Sequence, residues 1–155
     1  MPGLGYLCAL VLAAVFIWAA AAKLAHPPET KAGFTSLGLA RPEVMAWLVP
    51  AVEILTAVLL VGAPRVGGFV ALALLAAFSL VIARAIMRGV TTGCTCFGSV
   101  SSKPVSPTDL GRNCILAALA LVAGSTPAPA LPPWWAIAAV AVAAVLWFTA
   151  LRPRR

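Results

Sequence analysis

The sequence predicts an all-α membrane protein, a polytopic bundle of four to five transmembrane helices. Of its 155 residues, 63% are hydrophobic and only 10% are charged, and the mean hydropathy is +1.05. A soluble domain is about half apolar and about one quarter charged, so this chain has too little polar surface to cover a water-soluble globule. The apolar segments are rich in Ala and Leu and lack the alternating ten-residue pattern of a β-barrel.

Five apolar segments approach the roughly 20 residues that a helix needs to cross a bilayer. They cover about residues 3–23, 44–63, 66–87, 107–124 and 134–151. The Pro- and Gly-punctuated stretch 26–43 is expected to be a loop, and residues 88–106 form a polar loop that carries cysteines. We treat residues 1–155 as a single integral membrane domain.

Two other classes of protein are disfavoured. The net charge is +7, but the basic residues stand singly between apolar runs, without the basic patch and interleaved aromatic residues of a nucleic-acid-binding protein. No Lys or Arg precedes the first apolar segment, whereas signal peptides carry positive charge there. We therefore expect that segment to be a transmembrane helix and not a cleaved signal peptide.

The distribution of Lys and Arg predicts the orientation in the membrane. With five spans, the stretch 26–43, the cysteine loop and the C-terminus share one face, and the opposite face has only Arg65. The positive-inside rule then places the cysteine loop in the cytoplasm. The basic residues of the crowded face are Lys23, Lys31, Arg41, Arg84, Arg88, Lys103, Arg112, Arg152, Arg154 and Arg155.

Cys94 and Cys96 form a C-x-C pair inside the sequence G-C-T-C-F-G. Two thiols one residue apart can close a small, strained disulfide, and strained disulfides are the labile or catalytic ones. The glycines on both sides allow the tight turn that such a ring needs. A redox-active dithiol is the favoured interpretation. A soft-metal site for Cu(I) or Zn and a pair of inert loop residues are the alternatives.

The sequence S-P-T-D at residues 106–109 predicts where the fourth long helix begins. Ser106 is the expected N-cap, Pro107 occupies the first helical position and Asp109 is the acidic capping partner. Arg112 follows about one turn later, next to Asn113. A positive helix end and an arginine favour a thiolate over a thiol, so Arg112 is a candidate catalytic residue beside Cys94 and Cys96.

The other two cysteines have simpler interpretations. Cys114 is a candidate third thiol, as a resolving residue or a metal ligand, and the alternative is a small apolar residue in a helix. Cys8 lies near the opposite face of the membrane and is expected to pack. The single histidine, His26, is assigned to the surface.

Charges within the apolar segments are expensive and need a partner or a proton. Glu53 lies midway along the second segment, while Lys23 and Arg84 end the first and third segments on one face. Together with Arg112 they approach the end of the bundle that carries the cysteine loop. We expect an ion pair between Glu53 and one of these basic residues. The alternative is a pair that only fixes helix packing, with Lys23 and Arg84 extending to the membrane interface.

This combination of residues resembles the MauE family, the methylamine utilisation proteins, within the DoxX-like group of small membrane proteins. The similarity lies in A-A-A-A-K-L, in P-A-V-E-I-L-T-A-V-L-L-V-G-A, and in C-T-C-F-G followed by V-S-P-T-D-L-G-R-N. It covers about residues 16–121, and C-x-C-F-G with the Arg-Asn helix opening is its most specific part.

The resemblance implies a bacterial inner-membrane protein of thiol–disulfide chemistry, which helps the disulfide-rich small subunit of methylamine dehydrogenase to mature. It also implies a thioredoxin-like partner, which acts in trans because this chain holds no such domain. The resemblance assigns Cys94 and Cys96 as the redox pair and matches Arg112, Asn113, Lys23 and Glu53. Thr95 departs from the expected glycine and, being β-branched, stiffens the turn between the cysteines.

Three functions therefore remain open. The leading one is a thiol–disulfide oxidoreductase or electron conduit without a bound organic cofactor. A quinone-linked activity, as in some DoxX relatives, stays an alternative that no residue set in the sequence demands. The second is a transporter of a soft metal or a small molecule with Cys94, Cys96 and Cys114 as ligands. The third is a non-catalytic assembly factor. The implied maturation role places the dithiol outside the cytoplasm, opposite to the side that the charge count favours.

Overall fold

The described part of the chain, residues 2–89 and 106–126 of a computed structural model, is entirely helical apart from short turns. Its helices are α1 (Pro2–Ala25), α2 (Pro27–Ser36), α3 (Pro42–Gly62), α4 (Pro64–Met87) and α5 (Pro107–Ser125). Three of them, α1, α3 and α4, are long and apolar enough to cross a membrane. The prediction of an all-α membrane helix bundle is confirmed. The cysteine pair and the apolar segment 134–151 lie outside the described residues.

Proline begins each helix from α2 to α5, where its missing N–H costs nothing because the first-turn amides have no partner within the helix. At α5 the predicted capping is present: the Ser106 backbone N–H donates to Asp109 Oδ2 at 3.0 Å. Pro107 follows Ser106 as the first helical residue. The sequence signal at residues 106–109 therefore marked the true start of the helix.

The four long helices form an antiparallel bundle. Helix α1 packs against α3 and α5, and α4 packs against the same two helices, so the order around the bundle is α1, α3, α4, α5. Ser79 near the end of α4 contacts Asn113 near the start of α5, whereas Gly68 and Gly124 meet at the other ends of the two helices. Successive long helices thus run in opposite directions.

Small residues let these helices approach closely. A Cβ on Gly68 would lie 2.5 Å from the backbone nitrogen of Gly124, and a Cβ on Gly5 would collide with Thr126. Such close contact supplies the packing energy that the hydrophobic effect does not provide between helices in lipid. The buried apolar core lies between α1, α3, α4 and α5. Its members are Cys8, Ala9, Leu12, Ala13, Phe16, Ala57, Leu60, Val61, Ala71, Leu75, Leu116, Ala120 and Ala123.

The expectation of a loop over residues 26–43 was wrong, because this stretch contains α2. Its prolines lie in the first turn, and Phe34 and Leu37 on its inner face are buried. Gly38, with φ of 72°, ends the helix in a Schellman motif in which the Leu39 N–H donates to the Phe34 carbonyl at 3.1 Å. The glycine that suggested a loop is the stop signal of a helix.

The bundle has two distinct ends. We call the "loop end" the one formed by the last turns of α1 and α4 and the first turns of α3 and α5, where α2 also lies. Residues 90–105 join Gly89 to Ser106, which both belong to this end. Within the described ranges, Arg65 at the start of α4 is the only Lys or Arg at the opposite end. The basic residues of the described ranges are therefore gathered at the loop end.

The contact between α4 and α5 gives a stability prediction. Replacing Gly68 by Ala places a methyl group against the Gly124 backbone, which cannot yield like a flexible side chain, and we expect a loss of about 1 to 3 kcal/mol. Gly111→Ala in α5 is the control, because nothing lies within 4 Å of its added Cβ, and it should gain up to about 1 kcal/mol. Unfolding in detergent micelles measures both, and equal stabilities would contradict the packing.

Candidate functional site

A buried ion pair joins α1 to α3 in the middle of the bundle. Lys23 Nζ lies 2.7 Å from Glu53 Oε1, and the two side chains are 1% and 0% exposed. Glu53 stands eleven residues into α3, about 16 Å along the helix axis from its start. The pair is therefore well inside the apolar part of the protein and not at its surface.

The helix geometry explains why Lys23 reaches inward although it lies near the end of α1. A helical Cα–Cβ bond tilts toward the N-terminus, which here points into the bundle. The ammonium consequently contacts the Ala19 carbonyl, one turn earlier, at 3.4 Å, and lies 6.0 Å from the centre of the Phe78 ring. The last turns of a helix carry partial negative charge, which also favours an ammonium there.

The expected ion pair of Glu53 is confirmed, and Lys23 is its partner. Arg84 is exposed on α4, and Arg112 faces Asp109 on its own helix, with 3.4 Å between Nη2 and Oδ1. The idea that Lys23 extends to the membrane interface is wrong, because its side chain is buried against Glu53. Lys23, Arg84 and Arg112 lie at the same end of the bundle, but only the Lys23 side chain is buried between the helices.

A second polar contact, partly buried, joins α4 to α5. Asn113 is fully buried, and its Nδ2 donates to Ser79 Oγ at 3.2 Å. Ser79 follows Phe78, whose ring lies beside the Lys23 ammonium, so this contact occurs at the level of the ion pair. We call these four residues, Lys23, Glu53, Ser79 and Asn113, the polar layer. Each of the four long helices contributes one of them.

Two oxygen atoms of the polar layer accept no hydrogen bond from the described residues. They are Glu53 Oε2 and Asn113 Oδ1, both buried. The layer can therefore accept further donors without giving up its existing contacts. In addition, the short distance between Lys23 and Glu53 allows a proton to pass between Nζ and Oε1 without leaving the pair.

Ser79 and Phe78 were missed at the sequence level. Ser79 is the single hydroxyl residue in the apolar segment 66–87, and a hydroxyl there is a usable signal for a contact within the bundle. Phe78 gives no such signal, because an aromatic residue is ordinary in an apolar helix. Asn113 was identified only as part of a motif, and its complete burial follows from the structure.

The predicted thiol site is only partly visible. Cys94 and Cys96 lie outside the described residues, so their pairing and their distance from Arg112 stay predictions. Cys114 is a free thiol exposed on α5, whereas Cys8 is buried in the core of α1, which confirms its packing role. In the described part of the chain, no three His, Cys, Asp or Glu side chains are grouped to hold a metal ion.

The fold and the polar layer define a class: small multi-pass membrane proteins with an ion pair buried among four helices and a cysteine-bearing segment joined to one end. The family model described as "Methylamine utilisation protein MauE" matches residues 1–126, which include all five helices and both cysteines of the C-x-C pair. The chain belongs to the MauE family, and this links it to methylamine utilisation. No curated protein and no solved structure matches the chain significantly.

Breaking the ion pair should be far more costly than removing both of its charges. Glu53→Gln leaves the Lys23 ammonium buried without its carboxylate, and we expect a loss of about 3 to 5 kcal/mol. The double variant Lys23→Met with Glu53→Leu should recover most of that loss, because neither charge then needs compensation. Unfolding in micelles measures all three proteins.

The exposed pair Lys31–Glu43, at 2.8 Å, is the matched control at the same end of the bundle. Glu43→Gln should change stability little, since water screens this pair. A Glu53→Gln variant as stable as Glu43→Gln would contradict the burial of the Lys23–Glu53 pair.

Proposed function

We propose that this protein is a membrane thiol–disulfide redox protein whose Cys94–Cys96 pair exchanges electrons with protein partners. One partner is a thioredoxin-like protein acting in trans, and the other is an exported client whose disulfides mature. In amine metabolism the client class is the disulfide-rich subunit of methylamine dehydrogenase. The proposed site of action is the bacterial inner membrane.

The observation that carries the proposal is the sequence G-C-T-C-F-G within the matched residues 1–126. Both flanks of its segment, Gly89 and Ser106, belong to the loop end of the bundle. The polar layer lies in the same bundle below that end. Paired thiols joined to a rigid helical scaffold at one membrane face suit exchange with a partner that approaches from the aqueous side.

The proposed exchange has two steps. A thiolate of the reduced client attacks one sulfur of the Cys94–Cys96 disulfide, which forms a mixed disulfide and releases the other cysteine as a thiolate. The second client thiolate then attacks the mixed disulfide, so the client leaves with a disulfide and this chain keeps a dithiol. Two electrons and two protons have moved from the client to Cys94 and Cys96. The disulfide of the thioredoxin-like partner reoxidises them by the same steps.

Arg112 and the start of α5 support this chemistry electrostatically. The first-turn amides of α5 carry partial positive charge and begin directly after residues 90–105. Asp109 lies 3.4 Å from Arg112 and offsets part of the charge of the arginine. The positive helix end adds to the remaining charge, and together they stabilise a nearby thiolate. Under this proposal, Arg112→Gln slows the exchange without removing it.

Thiol labelling in intact cells tests the proposal and the orientation together. In a Cys8→Ser, Cys114→Ser background, Cys94 and Cys96 should react with a maleimide only after a reductant has been added. An impermeant maleimide then reports the exposed face: the excess of Lys and Arg at the loop end predicts the cytoplasmic side, whereas client maturation requires the other.

The control variants separate the three functions. Cys96→Ser should trap a mixed disulfide with a thioredoxin-like partner that lacks its resolving cysteine, whereas Cys114→Ser alone should behave as the unchanged protein.

Two free thiols under oxidising conditions would overturn the redox proposal. Stoichiometric copper or zinc in the purified protein would then favour the soft-metal function. Full client maturation with both cysteines replaced by serine would favour an assembly factor.

A further inference from the structure

A cavity of about 170 Å³ lies at the loop end, between α2, α3 and α4. This is about the size of cavities that admit a benzene-sized molecule. Lys23 and Phe78 form its inner boundary, and its walls are apolar. The walls are built by Phe34 and Leu37 of α2, Met45 and Val49 of α3, and Ala77 and Val81 of α4.

One face of α4 connects this cavity to the membrane surface. Ala77, Val81, Arg84 and Arg88 follow one another at spacings of four, three and four residues, which places them along a single helix face. The first two line the cavity, and the two arginines lie one and two turns closer to the loop end. The face is therefore apolar at depth and cationic toward the interface.

The Arg88 guanidinium lies beside Gly38, at the rim of the cavity. The Arg88 Nη1 lies 3.3 Å from the position that a Cβ on Gly38 would occupy. Gly38 stands between Leu37 and Leu39, and both of these residues line the cavity. The charge of Arg88 thus sits where a molecule would enter the apolar space.

The dimensions match one leaflet of a bilayer. Ala77 and Arg88 are eleven residues apart, which is about 16 Å along the helix axis. Half the hydrocarbon thickness of a bilayer is about 15 Å. An amphiphile with its head at the arginines therefore places its chain beside the cavity.

We propose that this cavity binds part of an acyl chain of one anionic phospholipid, whose phosphate contacts Arg84 and Arg88. Charge complementarity selects the headgroup, since within residues 2–89 and 106–126 every Lys and Arg except Arg65 belongs to the loop end. Of the acidic residues at the surface of this end, Glu43 pairs with Lys31 and Asp109 with Arg112, and Glu29 lies in the first turn of α2. The chain in the cavity covers Lys23 and keeps water from the ion pair with Glu53. This site is independent of thiol chemistry.

Native mass spectrometry of the full chain in detergent tests the headgroup preference, with phosphatidylglycerol and phosphatidylcholine of identical acyl chains as probes. We expect one phosphatidylglycerol to bind in preference to phosphatidylcholine. Arg84→Gln and Arg88→Gln should each lower the phosphatidylglycerol affinity roughly fivefold and leave the phosphatidylcholine affinity unchanged. Arg65→Gln, at the opposite end of α4, should change neither. Equal affinity for the two lipids, or an equal effect of Arg65→Gln, would overturn the proposal.

Filling the cavity tests where the chain lies. Ala77 and Ala76 are neighbouring exposed alanines of α4, but only Ala77 lines the cavity. Ala77→Phe should lower the affinity for phosphatidylglycerol at least tenfold, whereas Ala76→Phe should leave it unchanged. Identical affinities of the two variants would show that the cavity does not hold the chain, and the proposal would fail.

Discussion

The Lys23–Glu53 ion pair is the constraint on which the rest of this bundle depends. Removing two charges from water costs several kcal/mol for each ion, and only the attraction across a short, well-oriented contact offsets that desolvation free energy. At 2.7 Å and almost no exposure, the pair cannot separate without leaving a bare charge in an apolar interior. It therefore fixes α1 against α3. Neighbouring elements pack around it: Phe78 stands beside the ammonium, and Thr30 of α2 donates to the Lys23 carbonyl at 3.2 Å.

The polar layer divides the bundle into two parts that pack differently. On the side of Gly5, Gly68 and Gly124, the helices approach to backbone contact around a core of small apolar residues. On the loop-end side, α2 stands between the membrane surface and the long helices, a cavity remains, and the basic residues accumulate. Tight packing on one side permits looser, more polar structure on the other, because the register of the helices is already set.

The helices and their ion pair were accessible from the sequence because both follow from local rules. An apolar segment of about 20 residues must be helical in lipid, and a glutamate within it must find a proton or a cation. Which cation pairs with Glu53 was not accessible, since Lys23, Arg84 and Arg112 approach the same end and only side-chain direction separates them. Helix α2 was missed because proline and glycine mark helix ends as well as loops. The pairing of Ser79 with Asn113 and the cavity depend on contacts between distant segments, and no local pattern reports them.

The positions of the thiols restrict where redox chemistry can occur under the proposed function. Thiol–disulfide exchange requires direct contact between sulfur atoms. Cys8 lies fifteen residues before Lys23 on α1, about 22 Å away along the helix axis and buried toward the opposite end. Cys94, Cys96 and Cys114 belong to segments that begin at the loop end. Of the two cysteines in the described ranges, Cys8 lies toward the opposite end of α1 and Cys114 lies on α5, so these two form no thiol relay. Under the proposed function, the client and the thioredoxin-like partner meet the protein on the face that carries Cys94 and Cys96, and the buried ion pair is the scaffold beneath that face.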